Sequence, residues 1–296
     1  MQRRPPRASG ASQAIARALR GGATDEVLSD HSFDVIRSRV YALTGIVIAE
    51  RKRYLLMSRL AGRLRALGLE DYNAYARRLA DDAHATSEAG YLVNALTTNE
   101  TYFFREPRQF EVLEQQLPKL HARVVAAGRR TLRIWSAACS TGEEPYTIAM
   151  VLHRFIASKP GAKAMVLATD VDTNVLAQAQ RGRYSTERLS LVPERYRRYL
   201  QPDGDGVVVH PLVRGLVGFH QVNLMNDAFR FQEPVDVIFL RNVLIYFDAK
   251  GKSRVVRKLH EVARPGGLVF VGSSESLLRE AERFKLRHDA IYEVIK

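Results

Sequence analysis

Cys139 is the only cysteine in 296 residues. A lone thiol excludes an internal disulfide framework and a cysteine-based zinc site, and it fits a reducing cytoplasm. Long apolar runs are also missing. None approaches the roughly 20 residues needed to span a bilayer, so no direct membrane insertion is expected. The N-terminus, MQRRPPRASGASQAIARALRGG, is basic but lacks the apolar segment of a secretory signal. The eight histidines are scattered, with no pair at metal spacing. His31, His121, His210, His220 and His288 are therefore expected at the surface or in turns. HExxH, GxSxG and the phosphate-binding loop motif are all absent, which removes the chemistries those motifs carry.

What is present is ordinary for a globular protein: 46% hydrophobic and 26% charged residues. The length allows one large or two modest domains. The net charge of +13, from 45 basic and 32 acidic residues, attracts nucleic acid or an acidic protein by the same physics. Residues 1–27 are rich in Arg, Ala, Gly, Ser and Pro and read as a disordered basic tail.

Residues 28–96 carry a helical pattern without a strand signal. Phe33, Ile36, Val40 and Leu43 share one helix face, and Gly45 ends that helix. A second helix is expected over roughly 52–67, a third after Asp71 and a fourth from about Ser87 to Leu96. Between Arg51 and Ala66 stand six basic residues and no acid. At about 100° per residue, Lys52, Arg59 and Arg63 fall on one strip. Leu56, Leu60, Leu64 and Leu67 form the adjoining buried one. The plain reading is a solvated face. The unbalanced sign also fits a docking surface for an acidic partner.

The stretch Thr131–Met150, TLRIWSAACSTGEEPYTIAM, reads as strand, small-residue loop and helix start. Pro145 suits a first helical turn, and Glu143 and Glu144 sit where the helix dipole favours negative charge. With a single Gly142 and two acids, the loop repels phosphate. It suits a ligand that is part nucleoside and part cationic amino acid, as S-adenosylmethionine is. An ordinary βα turn is the bland alternative. Ahead of it, TTNETYFFREP offers Asn99, Thr101 and Arg105, or else is a packed linker. Ala164–Thr169 forms a second buried strand ended by Asp170, placed to accept hydrogen bonds from a ribose. Asp172 is the rival, equally suited to capping the next helix. Residues 203–222 break the rhythm and read as an inserted antiparallel β subdomain, a candidate edge for a partner peptide. Val235–Leu240 is a further buried strand, running into Arg241-Asn242 and Tyr246. A helix over roughly 250–263, a strand at Leu268–Gly272 and a closing hairpin complete the chain.

In this order, TTNETYFFRE, WSAACSTGEEPYTIA, ATDVDTNVL, VNLM, FLRNVLIYFD and GGLVFVGSSESL resemble the bacterial chemotaxis receptor methyltransferases, which are S-adenosylmethionine-dependent protein-glutamate O-methyltransferases. The likeness covers about 97–277, with the basic helical segment ahead of it. It implies an α/β fold: a Rossmann-like seven-stranded methyltransferase sheet, an N-terminal all-helical domain and a small inserted antiparallel β subdomain. It implies a tail at 1–27, a receptor-docking domain at 28–96 and a methyltransferase domain at 97–296. The implied cofactor contacts are Asn99, Thr101, Arg105, Glu144, Asp170, Asn223, Leu224, Arg241 and Asn242, with Glu143 one position away as the alternative to Glu144. Arg105 and Tyr246 would lie nearest the transferred methyl, and Cys139 would pack. Lys52, Arg53, Arg59 and Arg63 would dock acidic cytoplasmic helices of receptors, and the β subdomain could hold a receptor-tail peptide. The product would be S-adenosylhomocysteine, and the chain a cytoplasmic monomer. The rivals are a methyltransferase of another chemosensory pathway, such as twitching motility, and a non-catalytic cofactor-binding scaffold. A nucleic-acid methyltransferase is disfavoured because RNVLIYF lacks the prolines expected beside an exocyclic amine.

Overall fold

The computed structural model describes residues 28–225, 229 and 231–295. The basic segment 1–27 lies outside the described residues. The chain divides into two compact units. One takes Val47–Leu96 with the helix before it, and the other takes Thr44–Ile46 with Thr97–Lys296.

The first unit consists of α1 (Asp30–Thr44), α2 (Arg53–Leu67), α3 (Tyr72–Ala80) and α4 (Asp82–Leu96). Its buried faces follow the helical period: Phe33, Ile36 and Val40 from α1, Leu56, Leu60 and Leu64 from α2. Gly68, at φ 64°, closes α2 in the left-handed conformation that glycine adopts without penalty. Asp71 caps α3 by accepting from Ala74 N at 2.6 Å. The fourth helix begins at Asp82 rather than about Ser87. Asp81 supplies the start, its Oδ1 accepting from Ala83 N at 2.7 Å.

The basic strip on α2 requires correction. Arg63 reaches Glu88 with both ends of its guanidinium, Nε to Oε2 at 2.8 Å and Nη2 to Oε1 at 2.7 Å. Tyr75 Oη donates to the same carboxylate at 3.0 Å. Arg53 donates to Leu28 O at 2.8 Å and pairs with Glu50 and Asp30. Arg59 reaches Ala95 O at 3.5 Å, and both it and Lys52 are half-buried. Two of the four expected docking cations therefore hold this unit together. A strip read along one helix cannot reveal carboxylates supplied by its neighbours.

In the second unit a seven-stranded sheet is built from β1 (Thr131–Ala137), β2 (Lys163–Asp170), β6 (Val217–Gln221), β7 (Val235–Leu240), β8 (Ala263–Val271), β9 (Phe284–His288) and β10 (Ile291–Val294). The order is β6-β2-β1-β7-β8-β10-β9. All neighbours are parallel up to β8, and β10 is antiparallel to both β8 and β9. The helices are α5 (Pro107–Ala126), α6 (Glu143–Ala157), α7 (Thr173–Arg181), α8 (Glu194–Arg197), α9 (Pro211–Arg214) and α10 (Ala249–Val262). Every residue of β7, VDVIFL, is buried, as a central parallel strand requires. Phe239 and Phe270 stack at 4.4 Å inside the core. The chain leaves β1 toward β2 on one side and finds β7 on the other. A crevice therefore opens at the carboxyl ends of these strands, where the order reverses.

The small sheet has different members from those expected. It joins β3 (Arg183–Ser185), β4 (Leu200–Asp203) and β5 (Gly206–Val209) in the order β3-β5-β4. Residues 217–221 leave it and pair parallel with β2, from Val166↔Val217 to Asp170↔Gln221. Alternation along one strand gives its faces but not its neighbours, and the partner strand at 183–185 is only three residues long, too short to show a pattern. His121 is also not a surface residue: it is 9% exposed and meets the Phe155 ring at 5.7 Å.

Glu88 tests the helical unit. Its carboxyl is held below the ordinary range chiefly by its hydrogen bonds from Arg63, against the opposing effect of burial. A lowered folded value stabilises above the unfolded value of about 4.3, and that stability is lost as pH falls through the lowered one. Glu88→Ala should cost about 3 kcal/mol in urea denaturation by stranding Arg63 and Tyr75. A loss below about 1 kcal/mol would show that the pair is solvated.

Candidate functional site

A cavity of about 230 Å³ opens at the carboxyl ends of β2, β1 and β7. The segment 97–105 contributes Asn99, Thr101 and Arg105 to its lining, and the β1–α6 loop contributes Cys139, Ser140 and Glu144. Asp170 comes from the end of β2, Asn223 and Leu224 from the turn after β6, and Arg241, Asn242 and Tyr246 from the stretch after β7. All ten residues expected around cofactor and methyl group thus face one space. Chain segments from residue 97 to residue 246 meet there because parallel strands all end on the same edge.

The β1–α6 loop is tightly constrained. Ala138 and Ser140 have φ of 60° and 50°, and Gly142 has 97°. A Cβ on Gly142 would stand 2.8 Å from Ala179 Cβ and 2.9 Å from Tyr184 Oη, so both conformation and space demand glycine. The loop turns the two acids apart. Glu144 accepts from Ser136 Oγ at 2.7 Å and meets Arg241 Nη1 at 3.2 Å. Glu143, only 1% exposed, accepts from Thr141 Oγ1 at 2.6 Å and approaches Arg188 at 3.4 Å. Glu144 lines the cavity and Glu143 does not. Burial raises the carboxyl of Glu144 above its ordinary value, with Arg241 opposing. Cys139 is buried against Ala168 and Leu176, and desolvation pushes its thiol well up, away from reactivity.

The two aspartates after β2 divide their roles. Asp170 faces the cavity, with Oδ2 accepting from Ser140 N at 2.8 Å and Oδ1 from Asp172 N at 3.0 Å. Burial raises its carboxyl as well, its backbone hydrogen bonds opposing. Asp172 caps α7, accepting from Asn174 N at 2.9 Å. Its other oxygen accepts from Thr97 Oγ1 at 2.7 Å and Asn99 Nδ2 at 2.8 Å. Asp172 therefore anchors the 97–105 segment at its start.

Arg241 ties that segment down at its other end. With 2% of its side chain exposed, it meets Glu144 at 3.2 Å and Glu106 at 3.4 Å, and it donates to Arg105 O. Phe110 lies under the guanidinium at 5.3 Å. Arg105 itself donates to Glu100 O at 2.8 Å and lies 5.8 Å from the Tyr102 ring. Asn223 Oδ1 accepts from Met225 N at 2.9 Å, while Leu224 O accepts from the buried Lys258 at 2.6 Å.

Glu275 was missed by sequence reasoning. Its Oε2 accepts from Asn242 N at 2.8 Å and Gly272 N at 2.7 Å, and its Oε1 from Ile245 N at 3.3 Å. It thereby fixes Asn242 at φ 58° and the short turn that carries Tyr246. The only signal was an acid within the GSSESL motif, after a strand ending on the ligand edge. Among the described residues no group of three or more His, Cys, Asp or Glu could hold a metal ion. No described helix is long and apolar enough to cross a membrane. Glu275→Ala should cost about 2 kcal/mol in chemical denaturation, because three backbone N–H groups lose their acceptor. A cost under about 0.5 kcal/mol would mean that water replaces the carboxylate.

The chain is similar to known proteins over most of its length. The family model described as "CheR methyltransferase, SAM binding domain" matches residues 99–292, and "CheR methyltransferase, all-alpha domain" matches residues 31–97. The chain is 39% identical over 276 residues to the chemotaxis protein methyltransferase of Escherichia coli K12, covering 91% of this chain and 92% of that protein. It is 40% identical over 267 residues to chemotaxis protein methyltransferase 2 of Pseudomonas aeruginosa, covering 88% and 91%. The N-methyltransferase NodS of Bradyrhizobium japonicum, solved with S-adenosylhomocysteine, is matched at 12% identity and a TM-score of 0.34 over 63% of this chain and 87% of that one, which carries no weight here. With both domain models matched in order and relatives at this identity over nine-tenths of its length, the chain belongs to the CheR methyltransferase family and is an S-adenosylmethionine-dependent methyltransferase.

Proposed function

We propose that the chain transfers a methyl group from S-adenosylmethionine to glutamate side chains of chemotaxis receptors. The products are glutamyl methyl esters and S-adenosylhomocysteine, and the purpose is sensory adaptation in the cytoplasm. The single observation that carries the cofactor half is the pair of carboxylates, half-buried Glu144 and buried Asp170, lining one cavity on the ligand edge of the sheet. Such acids suit a ligand with an ammonium at one end and ribose hydroxyls elsewhere, so the residues present fit the cofactor. Glu144 holds the methionyl ammonium and Asp170 the ribose. Asn99, Thr101, Asn223, Leu224 and Asn242 complete the walls. Arg241 acts through Glu144 and the Arg105 carbonyl, because its guanidinium is already engaged with protein groups.

The acceptor half rests on chemistry and on the names of the relatives. When bound, the cofactor supplies an electrophilic methyl group. A glutamate, with an ordinary pKa of about 4.3, is already an anion at neutral pH and needs no general base. The protein's task is alignment, which can contribute up to about 7–11 kcal/mol. Arg105 orients the incoming carboxylate and Tyr246 shapes the pocket beside the methyl. A tighter ion pair at Arg105 would quench the nucleophile it positions. Residues 28–96 serve as the docking domain, with Lys52 and Arg59 offering charge to acidic receptor helices. Residues 97–296 carry the chemistry, and the small sheet offers an edge for a receptor-tail peptide.

Two measurements follow. Calorimetry should give micromolar or tighter binding of S-adenosylhomocysteine, weakened at least about tenfold by Asp170→Ala with the fold intact. Because burial raises the Glu144 carboxyl, affinity should rise as pH climbs through that raised value and ionises it, and Glu144→Gln should flatten the profile. Unchanged affinity in Asp170→Ala, or an unchanged profile in Glu144→Gln, removes that residue from the site. In the second, Arg59→Glu should raise the apparent KM for receptor several-fold by like-charge repulsion while leaving S-adenosylhomocysteine affinity alone. An unchanged receptor KM would make α2 a solvated face. Arg63 is unsuitable for this test, since reversing it beside buried Glu88 would destabilise the unit as well as remove a surface charge.

A further inference from the structure

The segment that forms one wall of the cavity, 97–106, is held at two of its carbonyls by arginines from elsewhere in the unit. Arg241 donates to Arg105 O, as described. Arg188 Nη1 donates to Thr101 O at 2.6 Å. Arg241 follows β7 and belongs to a motif. Arg188 lies in the short helical turn Thr186–Leu191, between β3 and β4 of the small sheet, and belongs to none. The same Nη1 stands 3.4 Å from Oε1 of Glu143, the buried acid that begins α6. One nitrogen of the β subdomain thus touches both the 97–106 segment and the β1–α6 loop.

The surroundings repeat the pattern. Tyr184 of β3 donates its hydroxyl to Thr141 O at 2.8 Å, and its ring meets Phe103 edge-on at 4.9 Å. Tyr196 of α8 lies 4.8 Å from Phe104, a residue held at φ 57°. A non-glycine residue at such an angle persists only where its surroundings over-determine it. Glu143 has no role facing the cavity, yet it is 1% exposed and its carboxyl is raised by burial. A buried acid needs a partner, and Arg188 is the cation it has.

We infer that Arg188 is a positioning residue for the cofactor site: through Thr101 O and Glu143 it sets the spacing between the 97–106 segment and the β1–α6 loop, so that the β subdomain is a clamp on the cavity as well as a surface. This rests on the cofactor reading above. It assigns to the subdomain an effect on cofactor affinity that is independent of any peptide bound to its edge.

The test is calorimetric binding of S-adenosylhomocysteine to the full chain and to Arg188→Ala, Arg188→Lys and Arg188→Gln, with steady-state kinetics on receptor. Because a single nitrogen makes both contacts, a lysine ammonium can replace it, whereas glutamine cannot restore the charge opposite Glu143. Arg188→Ala should weaken binding about tenfold, the worth of one charge-assisted hydrogen bond. Arg188→Lys should return to within about threefold of the parent, and Arg188→Gln should lie between lysine and alanine. KM for S-adenosylmethionine should rise while KM for receptor stays unchanged. Should Arg188→Ala fail to fold, the lysine and glutamine variants decide by the same ranking. Parent-like affinity in alanine or glutamine, or a lysine variant as weak as glutamine, overturns the inference. Failure of the parent chain itself to bind would instead remove the cofactor reading.

Discussion

A guanidinium with 2% of its side chain exposed, that of Arg241, touches three separate pieces of the chain at the cavity. It meets Glu144 at the start of α6, Glu106 at the start of α5 and the carbonyl of Arg105. A buried cation is costly unless it is paired, so these pieces hold one another in place. The stacking of Phe110 beneath it adds a contact that lysine would not supply.

Around that charge, the site is assembled mostly from backbone held by side chains. Glu275 collects three N–H groups, Asp172 gathers Thr97 and Asn99, and Asp170 accepts from Ser140 and Asp172. Of the non-glycine residues in left-handed conformations, Phe104, Glu106, Ala138, Ser140 and Asn242 fall in these segments, while Asp289 and Ala290 turn the terminal hairpin. Conformations of that kind cost of order 1–3 kcal/mol each and survive because the carboxylates and arginines fix the chain on both sides.

The helical unit shows the converse. Its arginines look like a uniform cationic face along α2, yet Arg53 and Arg63 are structural. Reversal of Arg63 would place a second acid beside buried Glu88, so it would mix lost stability with any lost recognition.

The sequence alone determined the main strands and helices of the large sheet and many of the residues that line the cavity. Buried strands at 131–137, 163–170 and 235–240 show as apolar runs, and their order with the helices dictates a parallel sheet whose carboxyl edge collects Glu144, Asp170 and Arg241. Periodicity and chain direction carry that much, because both are local. Tertiary structure decided whatever depends on a partner distant in sequence. It decided that residues 217–221 pair with β2, that Asp170 and not Asp172 faces the cavity, and that Glu144 and Glu143 turn opposite ways about a loop set by Gly142. It also decided that Arg63 meets Glu88, 25 residues along the chain, and that Arg188 meets Thr101 across 87. Hydrogen-bond partners at such separations leave no periodic trace, since only tertiary packing, of helices in one case and of the sheet's loops in the other, brings them within 3 Å.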